Sequence, residues 1–173
     1  MTNVRLISEL SSPVPEDALL HGIGWLKRQG VLRGAEGCWV AGAHRIYRVS
    51  SDLLPVEGGW RWFVRCEGEP VALIDLRGEG SAAQAVGAVG GRYPAQLAGA
   101  ITAVEAMPAV SDMVLRVIRF PTCTAELLWL HSPAGGGDWL APTRSHAGLR
   151  PLSLHPYSDL PHLARAAFRR NAG

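Results

Sequence analysis

The segment Trp60-Arg61-Trp62-Phe63-Val64-Arg65-Cys66, followed by Glu67-Gly68-Glu69-Pro70 and then Val71-Ala72-Leu73-Ile74-Asp75-Leu76, constrains the fold more than any other part of the chain. Its period of two places Trp60, Trp62, Val64 and Cys66 on one side of a strand and Arg61, Phe63 and Arg65 on the other. A turn between two such runs reads as a β-hairpin. The alternation of apolar and charged residues predicts a sheet with one wet face.

The rest of the chain can supply a core for that sheet. With 173 residues, 47% hydrophobic and 18% charged, the chain is long and apolar enough to fold as a single domain over 1–173 without metal or disulfide. A net charge of +2 does not call for a polyanionic partner, so nucleic acid is not expected. The five arginines from Arg144 onward, against Asp159 alone, read as a solvated face and a cationic helix end. No run approaches a membrane span, and the N-terminus lacks the basic and apolar parts of a secretory signal. Arginine outnumbers lysine so heavily, with Lys27 the one lysine, that a GC-rich bacterial genome is expected. Cys38, Cys66 and Cys123 are odd in number and share no C-x-x-C spacing, so each is read as a small buried thiol in a reducing, cytoplasmic protein.

Elements can be placed along the chain. Proline and carboxylates at positions 13–17 open a helix carrying Leu19, Leu20, Ile23 and Leu26 at helical spacing, and Gly30 stops it. A strand is expected at His44 to Val49. The Ala/Gly-rich stretch from Ser81 to Ala109 holds a firm helix from Pro94 to Met107, with Leu97, Ile101 and Val104 on one face, preceded by at best a short helix from Ser81 to Val89. Strands at Met113 to Phe120 and Ala125 to His131 form a second hairpin, and Gly135-Gly136-Gly137-Asp138 turns the chain into Trp139-Leu140-Ala141. A last helix begins after Ser158, with Leu160, Leu163, Ala167 and Phe168 inward and Arg165 and Arg169 outward. The fold class is therefore α+β: a largely antiparallel sheet of about five to seven strands with helices packed on one face.

No motif in the chain specifies a reaction. Gly78-Glu79-Gly80-Ser81-Ala82-Ala83 follows a strand, as a dinucleotide-binding turn would, but the second parallel strand and its acid about 20 residues on are missing. Cys123 and His131 would lie about 26 Å apart along an extended strand, so they are not expected to pair. His146, His155 and His162 match no helical metal-ligand spacing, and Ser81 lacks a nucleophile elbow. Trp60 and Trp62 read as core rather than as a base-stacking platform, because Arg61 and Arg65 point the other way.

No catalytic, cofactor-binding or metal residues are assigned, and no cofactor is expected. The reading is a non-catalytic interaction or accessory protein whose partner is another protein or a second copy, docking through 81–109 if that segment is not core. The alternative is a thiol- or histidine-based enzyme or small-molecule binder, with Cys38, His44, Asp75 and Ser81 as its candidate residues.

Overall fold

The computed structural model describes residues 15–33, 37–50, 52–120, 126–144 and 149–169. The chain is α+β, with helices α1 (Glu16–Arg28), α2 (Tyr93–Glu105) and α3 (Leu160–Arg169). Its strands are β1 (Cys38–Val49), β2 (Pro55–Cys66), β3 (Glu69–Arg77), β4 (Gln84–Gly90), β5 (Val114–Arg119), β6 (Glu126–His131), β7 (Trp139–Pro142) and β8 (His155–Pro156). The strand order is β4-β3-β2-β1-β5-β6-β7-β8, and β1 pairs with β5 in parallel, so the sheet is mixed although mostly antiparallel. Eight strands exceed the expected five to seven, the additional ones being β4 and β8, which carry no strand period in the sequence. For β4 the reason is physical. Gly87 and Gly90 disfavour a helix, while β3 offers an edge of unpaired backbone groups from Ala72 to Arg77 that Gln84–Gly90 satisfies.

Contacts divide the chain into two compact units. One contains the described parts of Glu9–His44 and Gly59–Gly99; the other contains Arg45–Gly58 and the described residues from Ala100 onward.

In the first unit the expected hairpin is present. β2 and β3 run antiparallel from Trp60↔Leu76 to Cys66↔Glu69, turning through Glu67 and Gly68, both at positive φ. Trp60, Trp62 and Val64 are buried together with Ala72, Ile74 and Leu76 against Ala18, Leu19 and Leu26 of α1, so the tryptophans are core. Trp62 Nε1 is buried without a partner among the described residues, a penalty of about 1–3 kcal/mol that the packing must outweigh. In α1, Leu20 points outward and Gly22 lies on the buried face instead. A Cβ at Gly22 would sit 2.5 Å from Ile74 Cγ2, so the helix can rest close on β3 only because the side chain is absent. The expected wet face is not wet: Arg61, Phe63 and Leu73, which point away from α1, are all buried.

In the second unit the other expected hairpin joins β5 to β6 in continuous antiparallel register from Val114↔His131 to Arg119↔Glu126. β7 adds to β6 through the glycine turn, from Leu130↔Trp139 to Leu127↔Pro142. Leu160, Leu163 and Ala164 of α3 pack with Val49, Ile118, Phe120, Leu127, Trp129 and Leu140. The side chains of Ala167, Phe168 and Arg169, and all of Cys123 and His146, lie outside the described residues. The separation expected between Cys123 and His131 therefore has no measured counterpart.

Candidate functional site

The four residues considered for chemistry do not assemble into one site. Cys38 and Cys66, expected as unpaired buried thiols, are half-buried and joined by a disulfide. The spacing rule missed this because the pairing is made by a hairpin and not by local sequence: each cysteine lies 14 residues from Asp52, in the turn between β1 and β2. With that bond formed, Cys38 carries no thiolate, and cysteine usage no longer argues for a reducing compartment. Ser81 is exposed on the 3-10 turn Gly80–Ala82. It lines a cavity of about 610 Å³ with Pro15, Glu16, Asp17, Ala18 and Ala83. The chain then enters β4 antiparallel to β3 instead of a helix, so Gly78 to Ala83 does not aim a helix N-terminus at a pyrophosphate.

His44 and Asp75 are both close to a third residue, Arg61, which the alternation places on the wet side. Arg61 is 1% exposed and pairs with Asp75 through two bonds, Nε to Oδ1 at 2.7 Å and Nη2 to Oδ2 at 2.9 Å. The two residues are directly opposite across β2 and β3. The Tyr93 ring lies 6.0 Å from the guanidinium carbon, and His44 meets Phe63 edge-on at 6.0 Å. Burial, and secondly the Arg61 charge, push His44 down to about 4. This arrangement binds strand to strand through a bidentate pair, and the His44 imidazole stays neutral at physiological pH.

Neutral His44 is favoured in the folded chain. Its contribution to stability is complete above pH 6.5 and is lost as pH falls toward 4. Between pH 7 and pH 4.5 the wild type should lose more thermal stability than a His44→Gln variant. Parallel melting curves of the two across that window check this.

The second unit holds a cluster that sequence reading did not assemble. Trp129 donates Nε1–H to Asp138 Oδ2 at 2.7 Å, the Ser132 amide donates to Oδ1 at 2.9 Å, and His131 Nδ1 lies 3.0 Å from Oδ2. Burial alone would raise the Asp138 pKa, but the bonds from His131, Ser132 and Trp129 outweigh it and hold the carboxyl below its ordinary value. Arg116, opposite Trp129 in the β5–β6 register, stacks with its guanidinium carbon 4.6 Å from the Trp129 ring centre and 5.4 Å from that of Tyr47. Tyr157 packs on Trp129 at 5.1 Å. Burial, then the Asp138 charge, raise its pKa against the opposing pull of Arg116, so its hydroxyl keeps its proton. The period of two in Leu127, Trp129 and His131 was visible in the sequence. The return of Asp138 across the glycine turn was not.

Nearby, Ser153 Oγ lies 2.8 Å from His155 Nε2 and 2.7 Å from the Arg150 carbonyl. With its hydroxyl proton donated to that carbonyl, Ser153 is a hydrogen-bond acceptor for the imidazole and not a nucleophile delivering a proton to it. Asp159 Oδ2 is 4.0 Å from His155 Nδ1, beyond hydrogen-bond reach. Among the described residues no group of three His, Cys, Asp or Glu side chains could hold a metal ion.

Among the described residues β4 is the end strand of the sheet, with Ala85 and Ala88 against the α1-side core and its other side open. None of its seven residues is buried, and Val86 and Val89 are 42% and 41% exposed. Gln84–Gly90 contains no charge and no proline. The opposite end of the strand order, β8, is two residues long and one of them is Pro156. Comparison with known proteins finds no matching family model, no matching curated protein and no matching solved structure.

Proposed function

We propose that the protein is a non-catalytic interaction protein and that its docking element is the edge of β4 left open among the described residues, paired antiparallel with the same edge of a second copy. The observation that carries this reading is the contrast between the two sheet ends. An open edge invites strand addition unless charge, proline, shortness or a bulge blocks it. β8 is blunted by its length and by Pro156, whereas β4 has only a register shift at Val86 and keeps a regular stretch from Gly87 to Gly90.

A copy of the chain is a suitable occupant. Self-pairing of an uncharged strand sets no like charges opposite one another, and a twofold arrangement uses up both edges and stops at two subunits. The contact is small, so the dimer should dissociate at about 10–100 µM. Sedimentation equilibrium should show this concentration dependence for the wild type and a monomer for Val89→Lys with an unchanged melting temperature. A wild type that stays monomeric at about 1 mM overturns the proposal.

The alternative, an enzyme or small-molecule binder, gains one observation. His131 Nδ1 lies 3.0 Å from Asp138 Oδ2, the kind of pairing by which a carboxylate orients an imidazole, and the ring is one-third exposed. That reading now rests on His131 and not on Cys38, His44, Asp75 or Ser81. His131→Gln separates the two: docking at β4 leaves self-association unchanged.

A further inference from the structure

We infer that the Cys38–Cys66 disulfide is a reducible latch on the first half of β1, opened by thiol–disulfide exchange with a dithiol. The bond joins the first residue of β1 to the last residue of β2, at the far end of the hairpin from its turn. The parallel register of β1 with β5 covers Arg45 to Arg48. Among the described residues the Cys38–His44 half of β1 is therefore anchored by β2 and by the disulfide. Beneath this half-strand Val40 and Ala43 pack on the cluster formed by Trp60, Trp62 and Val64. Both cysteines are only partly buried where they pack against this cluster, so the bond lies at the margin of the core and not inside it.

The exchange balances with a dithiol as the sole co-reactant. One thiolate of the dithiol attacks a cystine sulfur, the Cys38–Cys66 bond breaks, and a mixed disulfide forms. The second thiol of the reductant displaces it, leaving the reductant as a disulfide and the protein with two thiols. Two electrons and two protons pass to Cys38 and Cys66. Without the bond the ends of the hairpin are no longer tied, and the half-strand lifts from Trp60 and Trp62 while β2, β3 and β4 stay paired.

The test uses the full chain and dithiothreitol. Denatured without reductant, the oxidised protein should present one thiol, from Cys123. Under native conditions excess dithiothreitol should make Cys38 and Cys66 alkylatable by iodoacetamide. Amide exchange at Val40 to Ala43 should accelerate at least about tenfold, with that at Leu73 and Ile74 changing less. A Cys38→Ser/Cys66→Ser variant should show the fast exchange without reductant and no response to it. If that variant does not fold, the wild type with and without dithiothreitol decides alone. Three thiols in the untreated protein, a bond that resists reduction until global unfolding, or acceleration spread evenly over the chain would each overturn the latch.

Discussion

Gly59→Ala should be among the most destabilising single-methyl additions in this chain, lowering stability by about 3 kcal/mol or more. Gly59 sits at φ +120°, where an L side chain is strained, and a Cβ there would lie 1.9 Å from the Leu76 carbonyl oxygen. The clash is with backbone, so no rotamer relieves it. β2 and β3 must separate at the Trp60↔Leu76 pair, which lies in the α1-side core. For a chain of this size the melting temperature should fall by roughly 10 °C. Gly99→Ala is the matched control. It adds the same methyl group inside α2 with nothing within 4 Å, and should be neutral or stabilising by up to about 1 kcal/mol. Thermal or denaturant unfolding of the two variants checks the contrast.

Asp75→Ala should remove about 3–5 kcal/mol, because it strips the bidentate carboxylate from a guanidinium that stays buried. The loss reflects a buried guanidinium deprived of its bidentate carboxylate more than the intrinsic worth of the pair. Replacing both partners with apolar residues, Arg61→Met with Asp75→Leu, should therefore be milder than Asp75→Ala alone. A double-mutant cycle in urea measures this directly. A double variant less stable than either single variant would show that Arg61 and Asp75 hold the sheet through other groups.

The legible parts of the chain were those with a strong local period. The β2–β3 and β5–β6 hairpins, α1, the Leu97–Ile101–Val104 face of α2 and the start of α3 all follow from spacing and turn residues. β4 was not legible, since Ala85-Val86-Gly87-Ala88-Val89-Gly90 has neither a helical nor an alternating pattern and becomes a strand only because β3 pairs with it. The burial of Arg61 was hidden for a related reason. An arginine on an alternating strand reads as solvent-facing until a carboxylate directly across the sheet neutralises it. The disulfide and the Asp138 cluster both depend on a chain reversal that returns distant residues to one place, across the β1–β2 turn in one case and the glycine turn in the other. The question left open for 81–109 has a divided answer: Leu97, Ala100, Ile101 and Val104 of α2 are core, while β4 sets Ala85 and Ala88 against the core and leaves Val86 and Val89 exposed.

Self-pairing at β4 is tested most directly by nuclear Overhauser contacts in a mixture of isotope-labelled and unlabelled protein at about 1 mM, roughly ten to a hundred times the expected dissociation constant. Contacts between copies should be confined to Gln84–Gly90 and its immediate neighbours, and should vanish in Val89→Lys. Intermolecular contacts centred on any other element, or none at all, would contradict the account.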